Sequence, residues 1–173
     1  MCDVLPLRTD SGVYWLHMTN QAIVAGGCFW GVEKAFLDTP GVLDAESGYT
    51  GGHTDSPTYE QVCSDTTGHA EAVRVTFDPE VTSYENILER FFGIHDPTQV
   101  NRQGPDVGSQ YRSAIFYLDE EQHEIAQRVR DRIAATYAPK QVATEVTAAS
   151  TFWRAEEYHQ RYFDKHPEAV CHI

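Results

Sequence analysis

Apolar and polar positions along the chain follow two periods, which predicts strands interleaved with helices. An apolar run at 22–25 is typical of a buried strand, and apolar residues recur at helical spacing over 32–37 until Pro40-Gly41 stops the pattern. Gly26-Gly27 lies between these two elements and predicts a tight turn. The turn would place Cys28 in the first turn of the helix.

The remaining pattern predicts further strands over 42–48, 71–78, 112–118 and 142–148, and further helices over 56–62, 82–92, 120–137 and 152–165. Ser56 is the expected cap of the first of these helices, with Pro57 at its first position, and Thr82 to Glu85 has the spacing of a capping box. Connections too short for a regular doubly wound sheet indicate one mixed sheet with helices packed on it. The expected fold is an α+β two-layer sandwich.

Cys28 is the first candidate for chemistry. Free amide groups and the dipole at a helix N-terminus stabilise negative charge, which lowers a thiol pKa and makes the sulfur a nucleophile. The alternative is a small buried hydrophobe, the commoner role of a single cysteine. The preceding glycines and the following Phe29 and Trp30 favour the nucleophile. The rings of Phe29 and Trp30 could form the wall of a site for a small apolar group beside the sulfur, or they could equally pack in the hydrophobic core.

Glu71 is the second candidate, because strict alternation places it on the same strand face as Val73, Val75 and Phe77. Desolvation on that face would raise its pKa, so that the carboxyl stays protonated and acts as a general acid. A carboxylate at the start of a strand also reaches solvent easily. The pattern alone leaves both interpretations open.

Composition limits the class of protein. The chain has 173 residues, of which 41% are hydrophobic, and this size and composition predict one domain with its own core. The sequence contains no apolar run of membrane-spanning length. The net charge of -13 argues against nucleic acid and anionic membranes as partners. The four cysteines form no C-x-x-C pair, so no metal or cofactor is expected. A cytoplasmic location is expected.

Four motifs, taken together, resemble the A-class peptide methionine sulfoxide reductases: Gly27-Cys28-Phe29-Trp30-Gly31, Gly68-His69-Ala70-Glu71-Ala72-Val73, Gly108-Ser109-Gln110-Tyr111-Arg112-Ser113 and Ala155-Glu156-Glu157-Tyr158-His159-Gln160. The resemblance covers 21–173, which leaves residues 1–19 as an extension before a single catalytic domain at 20–173. It implies a ferredoxin-like core and reduction of methionine S-sulfoxide, protein-bound or free. In this scheme Cys28 attacks the sulfoxide sulfur and becomes a sulfenic acid, while Glu71 protonates the oxygen.

The resemblance also implies substrate-binding residues. Tyr59 and Tyr111 would hydrogen-bond the sulfoxide oxygen, Phe29 and Trp30 would hold the terminal methyl group, and Asp106 would bind a backbone amide of the substrate. The alternative for each tyrosine is an amphipathic residue at the edge of the core, and the alternative for Asp106 is a turn residue.

Recycling of a sulfenic acid needs a second thiol. Cys171 is the first candidate, because a mobile tail can bring its sulfur to Cys28, and Cys63 is the second. The family tail often carries Gly-Tyr before this cysteine and a further cysteine after it. Here Ala169-Val170 precedes Cys171 and only two residues follow, so a cycle of two cysteines is expected. The resemblance implies thioredoxin as reductant, and a monomer is expected.

Three other functional hypotheses compete with a reductase. A papain-like cysteine hydrolase would use His53, His69 or His159 as base and would need no dithiol. For a zinc deaminase, His69 to Glu71 matches the H-x-E motif, but no P-C-x-x-C follows it in the sequence. A noncatalytic binding module would not need Cys28.

Overall fold

The computed structural model describes residues 20–170, so the predictions for 1–19 and for Cys171 lie outside the described residues. The strands of the described part are β1 Asn20–Ala25, β2 Val42–Thr50, β3 Ala70–Phe77, β4 Arg102–Gln103, β5 Asp106–Val107, β6 Ala114–Tyr117, β7 Glu145–Ala148 and β8 Trp153–Arg154. Its helices are α1 Phe29–Leu37, α2 Tyr59–Cys63, α3 Tyr84–Gly93, α4 Glu120–Tyr137 and α5 Tyr162–Lys165. Within this range no helix has the length and apolar character needed to cross a membrane.

Six of these strands form one mixed sheet in the order β7-β6-β1-β3-β2-β8. All neighbours are antiparallel except β6 and β7, which are parallel. The four central strands β6-β1-β3-β2 are connected through α1 and α3 in the ferredoxin-like order. The predicted α+β class and mixed sheet are confirmed.

The helices cover one face of this sheet. Val24, Val73 and Phe77 lie in a buried cluster with residues of α1, α3 and α4, including Leu88, which is 0% exposed. Burial of a side chain of that size stabilises the fold by roughly 2 kcal/mol. The opposite face forms a smaller cluster around Phe116, and there the packing comes from the segment that precedes β8. The layers thus match the expected two-layer sandwich.

Helix caps differ from the predicted ones by one or two residues. Thr58 rather than Ser56 caps α2, where its side chain accepts from the amide of Gln61 in a capping box. Ser83 caps α3 and accepts from the amide of Asn86, so the cap lies one residue after Thr82. In each case a neighbouring hydroxyl competes for the role, and the exact position depends on how the preceding loop enters the helix.

The predicted helix over 152–165 is wrong. This segment contains β8, a 3-10 turn at Glu157–His159 and only one short helix, α5. The reason is competition from tertiary hydrogen bonds: the Gln160 side chain accepts from the Ser47 amide at 3.0 Å and donates to the Ser47 carbonyl at 2.9 Å. Arg161 then adopts a left-handed conformation with φ 51°, which ends any continuous helix.

Candidate active site

A cavity of about 210 Å³ lies where β1 ends and α1 begins, and it is lined by Cys28, Trp30, Gly31, Tyr59, Asp106, Tyr111, Tyr162, Phe163, Ala169 and Val170. Five of the predicted site residues therefore meet in one place: Cys28, Trp30, Tyr59, Asp106 and Tyr111. A larger open groove of about 620 Å³ beside the start of β1 has no cysteine or histidine in its lining. The smaller cavity is the candidate active site because it holds Cys28, the predicted nucleophile.

The two glycines before Cys28 are required by the turn that presents it. Gly27 has φ 96°, a conformation that other residues rarely adopt. A Cβ atom on Gly26 would come within 2.9 Å of the Phe91 ring. Cys28 is the N-cap of α1, and its carbonyl accepts from the amide of Gly31 at 3.2 Å. It thus lies one position before the predicted first turn of the helix.

The protonation state of Cys28 differs from the prediction. Burial raises the pKa of its thiol to about 12, and the negative charges of Glu71 and Asp106 act in the same direction. Hydrogen bonds from the backbone of Trp30 and Gly31 lower the pKa, as expected at a helix N-terminus, but burial outweighs them. In the free site Cys28 is therefore a thiol.

Glu71 is the second residue of β3 and is 1% exposed, so the interpretation that it reaches solvent fails. Its Oε2 accepts a hydrogen bond from the backbone amide of Phe29 at 3.1 Å. Burial raises the pKa of Glu71 to about 8, although the Phe29 amide opposes the shift. The carboxyl group is mainly protonated at neutral pH and lies next to the residue that follows Cys28.

Two tyrosines and an aspartate enter the cavity from loops beside the sheet. Tyr59 begins α2, and Tyr111 ends a 3-10 turn at Ser109–Tyr111. Asp65 joins these two segments by accepting from the Ser109 amide at 3.2 Å. Burial raises the pKa of Tyr59 and of Tyr111, so both hydroxyls remain hydrogen-bond donors. Within residues 20–170 the Asp106 carboxylate forms no hydrogen bond and remains available to a ligand.

Phe29 and Trp30 have different positions. The Trp30 ring lines the cavity, whereas Phe29 is 1% exposed and packs in the core, with its centroid 5.7 Å from that of Tyr49. The contribution of Phe29 in the structure is its backbone amide, which binds Glu71. The expected contact between the Phe29 ring and a substrate methyl group stays a prediction.

The candidate recycling cysteines have different surroundings. Cys171 is outside the described residues, but Ala169 and Val170, which directly precede it, line the cavity. Cys63 is the last residue of α2 and is exposed. Partial burial raises the pKa of its thiol, and the Tyr59 side chain opposes the shift. The position of Cys63 near the rim of the site agrees with the prediction.

Several contributors to the site were missed in the sequence. Tyr162 and Phe163 line the cavity, and Glu156 accepts from the Tyr59 amide at 2.9 Å and from the Tyr49 hydroxyl at 2.7 Å. The density of aromatic residues after position 151 is the available signal in the sequence, but it is also typical of an aromatic-rich helix.

The histidines do not support a hydrolase. His159 accepts from the indole of Trp30, and the two ring nitrogens of His69 bind the Gly52 amide and the Thr54 carbonyl. Among the hydrogen bonds of residues 20–170, none joins a histidine to Cys28. The same part of the chain contains no group of three metal-binding side chains.

A thiol at the start of a helix, a protonated buried carboxyl group and two tyrosine donors define a thiol-dependent oxidoreductase. The model of the peptide methionine sulfoxide reductase family matches residues 20–173, and the chain belongs to that family. The resemblance seen in the sequence is confirmed, and the papain-like alternative has no support.

Individual relatives agree with this assignment. Peptide methionine sulfoxide reductase MsrA of Acidobacterium capsulatum is 54% identical over 154 residues, which is 88% of this chain and 99% of the relative. The solved structure of methionine sulfoxide reductase A of Corynebacterium diphtheriae is 35% identical with a TM-score of 0.85, covering 88% of this chain and 77% of that one. Mxr1 of Saccharomyces cerevisiae in complex with Trx2 has the same fold, at 23% identity and a TM-score of 0.60, covering 88% and 91%.

Proposed function

We propose that this protein reduces methionine S-sulfoxide, in proteins and as the free amino acid, with Cys28 as nucleophile and Glu71 as general acid. The observation that carries the proposal is the hydrogen bond from the Phe29 amide to Glu71 Oε2 at 3.1 Å. It holds a protonated carboxyl group beside the thiol, where the oxygen of a bound sulfoxide needs a proton.

The first half-reaction transfers the sulfoxide oxygen to Cys28. A bond forms between Cys28 Sγ and the sulfoxide sulfur while Glu71 gives its proton to the oxygen, because a bare oxide is a poor leaving group. The carboxylate that results takes up the proton of the Cys28 thiol. The hydroxyl group then moves from the substrate sulfur to Cys28 Sγ: the S–O bond of the substrate and the bond between the two sulfurs break, and a bond from the oxygen to Cys28 Sγ forms. Methionine leaves and Cys28 is a sulfenic acid, so the substrate sulfur gains two electrons and the cysteine sulfur loses two.

The cavity walls supply recognition. The Tyr59 and Tyr111 hydroxyls donate to the sulfoxide oxygen and stabilise charge as it develops there. Trp30, together with Phe29 as the resemblance implies, holds the methyl group, and Asp106 accepts from a backbone amide of the substrate. Fixing the methyl, the oxygen and the remaining chain in three different directions selects one epimer, and the family resemblance implies that it is the S epimer.

The second half-reaction restores the thiol. The Cys171 thiol condenses with the Cys28 sulfenic acid, which forms a disulfide and releases water, and thioredoxin then reduces that disulfide. Support comes from Ala169 and Val170, which bring the tail to the cavity, and from the yeast relative solved with Trx2. A reducing compartment such as the cytoplasm suits this cycle. We assign it to a monomer with one catalytic domain at 20–173.

The test is consumption of the two methionine sulfoxide epimers, with dithiothreitol as reductant, by the full chain. We expect loss of the S epimer only, abolished by Cys28→Ser and strongly slowed by Glu71→Gln. Cys171→Ser should keep turnover with dithiothreitol and lose it when thioredoxin replaces the small dithiol. Cys63→Ser is the matched control and should follow the wild type with both reductants.

Two outcomes would contradict this assignment at different levels. Failure of the wild type to reduce either epimer would remove the reductase activity itself. Thioredoxin-dependent turnover that survives Cys171→Ser but not Cys63→Ser would keep the chemistry at Cys28 and transfer the recycling role to the thiol at the end of α2.

A further inference from the structure

The edge of the Trp30 ring is held by one buried histidine. The indole Nε1–H of Trp30 donates a hydrogen bond to His159 Nδ1 at 2.9 Å. An indole nitrogen is a donor only, so Nδ1 must be the unprotonated nitrogen of the imidazole. His159 is therefore neutral and carries its proton on Nε2. Burial supports this state because it lowers the pKa of His159.

His159 has little freedom to move away from this hydrogen bond. The side chain is 0% exposed. Its ring centroid lies 4.1 Å from that of Tyr158, 4.4 Å from Tyr59 and 5.0 Å from Phe29. Its Nε2 has no hydrogen-bond partner among the described residues, and the carboxylate of Glu156 is 3.9 Å away. The aromatic neighbours fix the ring, so Nδ1 is a rigid acceptor.

The face of the Trp30 ring is held by a second group. Tyr162 stacks on it with centroids 3.6 Å apart and planes 4° from parallel. Both of these rings line the cavity, whereas His159 does not. Rotation of the indole about its side-chain bonds would break the hydrogen bond and the stack together. The orientation of the Trp30 ring is thus fixed by His159, outside the cavity, and by Tyr162, in its wall.

We propose that His159 is a positioning residue for the reductase reaction: it fixes the Trp30 indole as the wall that receives the apolar part of the substrate. The proposal rests on the proposed function of the cavity. Trp30 contacts a group that does not react, so its contact is the same in the bound substrate and in the transition state. Loss of such uniform binding raises KM and leaves kcat unchanged.

Two substitutions of similar size separate this role from simple packing. His159→Asn keeps a hydrogen-bond acceptor close to the position of Nδ1, whereas His159→Leu removes it. With a blocked peptide carrying methionine S-sulfoxide and with dithiothreitol, we expect His159→Leu to raise KM by roughly 2- to 13-fold, as the loss of one hydrogen bond predicts. The same variant should keep kcat, and His159→Asn should recover most of the lost affinity.

A double-mutant cycle with Trp30→Phe tests whether His159 acts through Trp30. Trp30→Phe removes the donor, so it should raise KM by itself, and addition of His159→Leu should raise it little further. Fully independent effects would overturn the proposal. So would a lower kcat at unchanged KM in His159→Leu, or an Asn variant no better than Leu. Where His159→Leu fails to fold, His159→Phe, which keeps a ring and also lacks an acceptor for the indole, takes its place in the cycle.

A spectroscopic measurement separates this proposal from the proposed function. The indole N–H resonance of Trp30, identified by its loss in Trp30→Phe, is recorded for the free enzyme by nitrogen-proton NMR. We expect His159→Leu to move it upfield and His159→Asn to keep it near the wild-type position. An unmoved resonance in His159→Leu would overturn the positioning role. A wild type without activity on either epimer would instead overturn the function.

Discussion

The unfolding free energy of Glu71→Gln, compared with that of the wild type, should increase as the pH rises. In the folded chain the pKa of Glu71 is raised from 4.5 to about 8. Between these values the folded state holds a proton that the unfolded state has released. Folding stability then falls by about 1.4 kcal/mol for each pH unit of increase. Over the two units from pH 5 to pH 7 the wild type loses roughly 3 kcal/mol from this one group.

The glutamine variant lacks this dependence because its amide does not titrate. The sign follows from the raised pKa of an acid: the stabilisation is complete below pH 4.5 and is lost as the pH rises toward about 8. The difference in unfolding free energy between Glu71→Gln and the wild type should therefore grow from pH 5 to pH 7 and level off above pH 8. At pH 7 the variant would be slow in catalysis but comparatively resistant to urea.

The assay is urea unfolding followed by far-UV circular dichroism at pH 5, 6, 7 and 8.5 for both proteins. Glu124→Gln is the matched control, because this carboxylate is exposed on α4 and the same substitution there should add no pH dependence. Parallel curves for the wild type and Glu71→Gln would refute the reasoning. They would show that Glu71 ionises at its ordinary pKa, so that it holds no proton for the sulfoxide at neutral pH.

Three further substitutions test the site and its supports. Tyr111→Phe removes the proposed donor to the sulfoxide oxygen and should lower kcat/KM roughly 10- to 100-fold with dithiothreitol; an unchanged value would exclude that contact. Ser47→Ala removes the hydroxyl that donates to the buried Glu33 at 3.2 Å, and urea unfolding should show a loss of roughly 1–3 kcal/mol. Leu88→Ala should cost roughly 2–5 kcal/mol, whereas Leu43→Ala, at a side chain 55% exposed, should change the unfolding free energy little; equal losses would contradict the assigned core.

The predictable part of this fold is the part in which local pattern and tertiary packing agree. The long helix was expected over 120–137 and α4 is Glu120–Tyr137, because apolar spacing and terminal signals coincide there. The alternation around Glu71 likewise identified the face of β3 that meets the helices. Such elements have one buried face, which leaves a periodic trace in the sequence.

The unpredictable part depends on contacts between distant residues. No local pattern shows that Gln160 will bind both backbone groups of Ser47, and this bond replaces the expected helix at 152–165. The raised pKa of Cys28 is unpredictable for a related reason. Position at a helix N-terminus is local information, but the burial that raises the pKa to about 12 comes from loops far apart in the chain. Geometry at the cavity therefore had to come from the structure.

If Cys28 is the nucleophile of the proposed reaction, the protonation states of the resting site protect it from other electrophiles. With a pKa of about 12, Cys28 is almost entirely a thiol at pH 7. Glu71 holds its own proton at the same pH, since its pKa is about 8. In the proposed reaction the thiol gives its proton to Glu71 only when Glu71 has passed its own proton to an acceptor, and a sulfoxide oxygen under attack is such an acceptor. An electrophile that requires no proton gains nothing from this relay. On this mechanism, burial of both acids makes the reactivity of Cys28 depend on the presence of the substrate, and the raised pKa of Glu71 lowers the folding stability at neutral pH.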